Sequence, residues 1–205
     1  MSESREIFEV IKTNRAVRRF KPDPVSAELL DQVLTAAVHA PNGGNSQSWH
    51  FLVIQDPAVR AQIGSFYRDA YLTHYDAIAS AAAAQSPARE RVYRSSRYLA
   101  DHMADEPPVL ILACGERPPG GLDAGRMAGA SIFPAVQNLM LAARALGLGT
   151  CLTTIHQHRE AEIKACLGIP EHVDSYALIP LGFPETAFGP LTRRPAAEVT
   201  HRDRW

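Results

Sequence analysis

The spacing of apolar and polar positions alternates between helical and strand-like stretches. Ile7, Phe8, Val10 and Ile11 share one face of a short helix predicted over residues 4–13. Leu29, Leu30, Val33, Leu34 and Ala37 give a second helix one apolar stripe, and Ser26 stands before it as an N-cap. That helix stops near Pro41, and PNGGNSQS is a loop by composition. WHFLVIQ (49–55) reads as a buried strand, after which Asp56 and Pro57 open another helix. PVLILACG (108–115) and YALIPLG (176–182) are unbroken apolar runs of strand length, as expected of strands covered on both faces. A shorter strand is predicted at 151–155 and a helix at 161–167. Residues 131–146, SIFPAVQNLMLAARAL, form a helix apolar on most faces, so it belongs in a core or at a subunit interface, with Gly147 ending it. Residues 66–103 are rich in Ala, Tyr, Arg and Ser and read as helical, with a break at 85–87. RPPGGLD (117–123) is a loop. The tail from Phe183 to Trp205 has weak periodicity and is expected to lie extended over another surface. Helices mixed with three or four short strands predict one α+β domain over 1–205, with a helix-flanked sheet.

Composition narrows the picture. Hydrophobic residues are 46% and charged residues 21% of 205, which excludes disorder as the main state. The 21 Lys+Arg against 22 Asp+Glu argue against a strongly basic nucleic-acid binder. Three cysteines without paired spacing suit a reducing compartment. The first residues are charged and lack an apolar core, so no signal peptide is expected, and no apolar run reaches the roughly 18 residues of a membrane span. A cytoplasmic protein is the expectation.

Several motifs fail. Gly147-Leu-Gly149 follows a helix and does not complete a dinucleotide fingerprint. His156, His158, Glu160 and Glu162 lack a third partner at metal-ligand spacing, so no metal is expected. Three stretches carry chemistry instead. Asn14-Arg15-Ala16-Val17-Arg18-Arg19 gathers forked cationic donors suited to phosphate and to carbonyl-type acceptors, though alone it equally fits a solvated basic face. The loop Pro41, Asn42, Gly43, Gly44, Asn45, Ser46, Gln47 offers uncharged donors and acceptors with backbone that can approach a ligand closely, and alone it equally fits an ordinary turn. Arg193 and Arg194 form a second basic pair in the tail.

Taken in order, these pieces resemble the FMN-dependent nitroreductase family. The matching segments are NRAVRRFKPDPV, APNGGNSQSWHFLVI, SIFPAVQNLMLAARALGLGTCLTT, YALIPLGFP and RRPAAEV with HRDRW. They span about three quarters of the chain, and residues 60–105 find no match. The resemblance implies a central mixed sheet flanked by helices, a homodimer with an extended C-terminal tail, and FMN at the subunit interface. It implies that Arg15 faces the FMN phosphate and ribityl chain, and Arg18 the N1/O2 edge of the ring. It puts Thr153, Thr154 and Ile155 near flavin N5, and Arg193 with Arg194 near the phosphate. Pro41, Asn42, Gly43, Asn45 and Gln47 come from the partner subunit in this reading. Ala16 stands where the family often has Ser or Thr, Asn42 for a common Ser, and Ser48 for a common Pro.

The implied function is hydride transfer from NAD(P)H to flavin N5, then to a small electron-poor acceptor such as a nitroaromatic or a quinone, by ping-pong turnover. No catalytic acid or base is needed for that transfer, and none is assigned. Other flavin chemistry on the same fold (dehydrogenation, dehalogenation, flavin breakdown) and a flavin binder without turnover are the alternatives. Phe66, Tyr67, Tyr71 and Tyr75 are candidates for stacking on substrate, their competing role being helix core or interface.

Overall fold

The computed structural model describes residues 7–117 and 124–205. Its centre is a sheet in the order β1-β2-β4-β3, built from β1 (Trp49–Ile54), β2 (Val109–Glu116), β3 (Gly149–Thr150) and β4 (Val173–Gly182). All three strand pairings are antiparallel. The parallel component among the described residues is an isolated bridge, Ala16 to Thr150, where the Arg-rich segment runs beside β3.

Side-chain alternation along β2 divides the interior in two. Val109, Ile111 and Ala113 face one core, and Leu110, Leu112 and Cys114 face the other, all fully buried. This double burial is why the strand reads as a continuous apolar run. The first core is closed by α2 (Ala27–Val38) and α6 (Ala124–Ala145), which bring Leu30, Val33, Ala37, Ile132, Val136 and Leu139 to it at helical spacing. The second is closed by α3 (Pro57–His74), α5 (Pro87–His102) and α7 (Glu160–Leu167) through Ile63, Tyr67, Leu99 and Ile163. Each buried Leu or Ile contributes about 1.5–3 kcal/mol. Two further helices are α1 (Ile7–Thr13) and α4 (Asp76–Ala83). Among the described residues no helix is long and apolar enough to cross a membrane.

Helix starts follow their caps. Ser26 Oγ accepts from Leu29 N at 3.3 Å, Asp56 Oδ1 from Ala58 and Val59 N at 2.9 and 3.0 Å, and Ser86 Oγ from Arg89 N at 3.3 Å. Pro57 and Pro87 then occupy first-turn positions that need no donor. The break expected at 85–87 separates α4 from α5, and a second break falls at Tyr75 between α3 and α4.

Two elements differ from their sequence-based bounds. The strand expected at 151–155 forms two residues earlier, as β3; Thr153 makes only a bridge to Leu178, and a 3-10 turn, Ile155–Arg159, follows. The glycine that disfavours a strand here is needed sterically, since a Cβ on Gly149 would sit 2.7 Å from Val17. Helix α6 starts at Ala124, not 131, because AGRMAGA has too few large side chains to show an amphipathic period. The loop expected at 117–123 lies, apart from Arg117, outside the described residues.

The tail begins anchored and ends free. Lys21 N donates to Phe183 O at 2.8 Å, Glu185 N to Arg19 O at 3.2 Å, and Leu191 N to Lys12 O at 3.0 Å. From residue 192 onward every position is exposed, including a short 3-10 turn, Ala196–Val199.

Candidate functional site

After α1 the chain is seated against the sheet edge. Val17 N donates to Thr150 O at 2.8 Å, and buried Phe20 bridges to Pro184. Between these anchors Arg15, Ala16, Arg18 and Arg19 line a cleft of about 150 Å³, completed by Ser95, Thr186 and Phe188. No carboxylate lines it. Arg15 is exposed and makes no ion pair among the described residues. Arg19 is held flat over the Tyr98 ring, 3.3 Å from its centroid. The Tyr98 hydroxyl donates to Glu106, and that hydrogen bond to a carboxylate, with some burial, pushes its pKa up to about 12.

A second cleft, of about 220 Å³, adjoins the first and shares Arg18 with it. Its walls include Tyr67, Tyr71 and Tyr75 from α3 and its end, and Cys151, Thr153, Thr154 and Ile155 from the segment after β3. Thr153 is fixed by three hydrogen bonds to Leu178: Oγ1 to O at 2.7 Å, N to O at 3.1 Å, and Leu178 N to its own O at 2.9 Å. Burial raises the pKa of the Tyr67 hydroxyl, which touches Thr153. Burial raises Tyr71 also, and its hydroxyl pairs with Ser96 Oγ at 2.9 Å. The Cys151 thiol is pushed up by burial, against a smaller opposing pull from Arg18. Tyr71 and Tyr75 meet edge to face, 5.3 Å between centroids. Tyr67 and Tyr71 are buried in the second core and also line the cleft. Phe66 packs on that core and lines neither cleft.

The other sequence candidates stand apart from both clefts of their own chain. The loop after α2 is exposed from Gly43 to Gln47. Asn42 Oδ1 accepts from Gln47 N at 3.0 Å, Asn45 Oδ1 from Gln47 Nε2 at 3.3 Å, and Ser131 Oγ from Gly43 N at 3.3 Å. Asn45 and Gln47 hold φ of 52° and 49°, a left-handed conformation costly for a residue with a Cβ. Pro41 is exposed beside them. Arg193 donates only to its neighbour Thr192 O, at 2.9 Å, and Arg194 is exposed next to it. His156, weighed as a metal ligand, is instead fully buried with Nε2 3.1 Å from Ser175 Oγ, and His158 stacks on His74 at 4.1 Å. Ser95, Thr186, Phe188 and Cys151 are among the cleft residues that sequence reasoning passed over. None carries a charge or a motif, and only folding brings α5 and the tail to the Arg-rich segment.

The arrangement offers a cationic, acid-free end joined through Arg18 to an aromatic slot. It suits a ligand with an anionic group at one end and a flat ring at the other. The sequence model of the nitroreductase family matches residues 11–183. The chain belongs to the nitroreductase family. Among relatives, a protein of Methanothermobacter thermautotrophicus named "Putative NADH dehydrogenase/NAD(P)H nitroreductase" is 29% identical over 190 residues, 92% of this chain and 81% of that one. A 5,6-dimethylbenzimidazole synthase of Rhodospirillum rubrum is 30% identical over 175 residues, 83% of this chain and 78% of that one. Among solved structures, an oxidized iodotyrosine deiodinase bound to FMN and 3-iodo-L-tyrosine superposes with a TM-score of 0.75 at 25% identity, covering 98% of this chain and 100% of that one. These nitroreductase-family relatives carry three different chemical names on one fold.

Proposed function

We propose that this protein is an FMN-dependent oxidoreductase that takes reducing equivalents from NAD(P)H and passes them to a small electron-poor acceptor, such as a nitroaromatic or a quinone. The observation that carries this reading is the pair of clefts sharing Arg18. The donor set fits the cofactor: guanidinium groups in a cleft lined by no carboxylate suit its phosphate, and the tyrosine-lined slot suits its ring. When bound, FMN supplies a carrier that accepts hydride from a reduced nicotinamide and yields it to the acceptor.

The chain's own residues then bind, orient and tune. Arg15 holds the phosphate, joined by Arg193 and Arg194 from the tail. Arg18 sits at the pyrimidine edge, where a fixed cation favours the electron-rich reduced ring. The rigid backbone of Thr153, Thr154 and Ile155 backs the reactive centre. Ala16 contributes backbone only. Pro41, Asn42, Gly43, Asn45 and Gln47 complete the site of a partner subunit in a homodimer, a role in keeping with the left-handed, exposed backbone of Asn45 and Gln47. Tyr67, Tyr71 and Tyr75 bound the acceptor space. The residues lining the clefts include no carboxylate and no imidazole, in keeping with a transfer that needs no general base.

The test begins with the purified protein's absorbance near 450 nm, where flavins absorb. Anaerobic mixing with NADPH or NADH follows, then a screen of nitroaromatics and quinones. Bleaching by a nicotinamide and recovery on adding an acceptor support the reading; a colourless protein that takes up no FMN sinks it. A second reading, other flavin chemistry on this fold, is favoured by the deiodinase and synthase names of the relatives. It is distinguished by bleaching without any acceptor turnover.

A further inference from the structure

A further cavity of about 220 Å³ opens beside the aromatic cleft, between α4 and α5. The two share Tyr75 and Ser96, so they adjoin and together make a trough along α5. Ala79, Ala82, Val92 and Tyr93 make its sides, and Arg89 stands at the end far from Arg18. Arg89 and Ser96 lie on the same helix, α5, about 10 Å apart at 1.5 Å per residue.

Charge along this trough is one-sided. No Asp or Glu lines either cavity. The nearest acids are already engaged: Asp76 accepts from Tyr93 Oη at 3.2 Å and Arg97 Nη1 at 3.1 Å, and Glu90 pairs with Arg94 at 2.5 Å. Arg89 donates to Gln85 Oε1, a neutral amide, and has no carboxylate partner among the described residues. The Gln85 contact and the Asp76 network also hold the groove's walls in place. Val92, which lines this cavity, is 57% exposed.

We propose that the acceptor site continues along this groove, and that it selects molecules with a flat ring, an apolar linker of about six atoms and a terminal carboxylate held by Arg89. The ring end of this assignment rests on the function proposed above; the groove end rests on α4 and α5 alone. An exposed Arg–carboxylate pair is weak, so the expected preference is modest, about two- to fivefold.

The test is calorimetric titration of the purified protein, with its flavin, using 6-phenylhexanoate and the neutral 6-phenylhexanamide. Neither can be reduced, so binding is read without turnover. The carboxylate is expected to bind about two- to fivefold more tightly than the amide. Arg89→Gln is expected to bring the two to parity, Arg89→Lys to restore part of the preference, and Val92→Asp to reverse it. Equal affinities in the wild type, a preference that survives Arg89→Gln, or no binding of either compound at millimolar concentration overturns the proposal. Failure of the broader function shows separately, as a protein without flavin or one that never turns over nitrobenzene.

Discussion

The two arginine clusters have similar composition and opposite surroundings. Arg15, Arg18 and Arg19 sit between fixed points: the Thr150 backbone, buried Phe20 and the Tyr98 ring. Arg193 and Arg194 lie in a tail exposed from residue 192 onward, where Arg193 donates to Thr192 O. The first cluster is therefore seated in a cleft by its own chain. The second has no such scaffold among the residues that line that cleft. Unscaffolded donors cost conformational entropy each time a ligand is bound, unless another surface holds them first. In the homodimer proposed above, the partner subunit would be that surface.

The largest expected effect comes from removing both clusters' phosphate donors. Each charge-assisted bond contributes about 1.5–3 kcal/mol, so Arg15→Ala or Arg193→Ala is expected to weaken FMN binding about ten- to a hundredfold. The double variant is expected to lose roughly the product of the two. Riboflavin, which has no phosphate, is expected to bind wild type and double variant alike in fluorescence titrations. Sharing between subunits is checked by co-refolding this double variant with Asn45→Ala/Gln47→Ala. Heterodimers that regain part of their flavin binding support shared sites, and confirmed heterodimers without recovery oppose them.

Gly149→Ala attacks the anchored cluster at its base. The new Cβ meets three Val17 atoms at 2.7 Å, and overpacking of this kind costs about 1–3 kcal/mol. A lower urea midpoint is expected, together with weakened flavin retention as the Arg-rich segment shifts from β3. Unchanged retention in a destabilised protein would break the link between strand seating and site.

Acid is expected to act on the anchored half through His156. Burial lowers its pKa from 6.5 to about 4. The unfolded chain then binds the extra proton between these values, so stability is complete above pH 6.5 and falls as the pH drops toward 4, by about 1.4 kcal/mol per unit. Denaturation series at pH 7, 6 and 5 should show this slope, and His156→Gln should flatten it.

The smallest effect expected is on binding by Arg18→Ala, whose loss is felt in reactivity. The bound flavin is expected to have a lower reduction potential and about tenfold slower reduction by NADPH, since a fixed cation counts most where charge develops. An unchanged potential with FMN retained would remove Arg18 from the ring edge.

How much was legible depended on how locally each feature is encoded. Strands β1, β2 and β4 were readable to within three residues, since double burial demands unbroken apolar runs. Caps at Ser26 and Asp56 are local hydrogen bonds and equally readable. β3 was misplaced because its glycine answers to Val17, more than a hundred residues away in sequence. Among the candidate residues, Arg18, Tyr67, Tyr71, Tyr75 and Thr153 to Ile155 do meet in one cleft. Ser95, Thr186 and Phe188 carried no sign of it.

The sequence by itself determined the element types, the two-faced sheet and the residue kinds available for an anion and a flat ring. Those follow from hydrophobic period and side-chain chemistry, which are properties of short segments. Only the tertiary structure decided that Arg18 joins a cationic cleft to an aromatic one, that Arg19 is spent on Tyr98, and that α4 and α5 open a groove ending at Arg89. Those facts depend on which segments become neighbours, and neighbours are set by packing on both faces of one sheet.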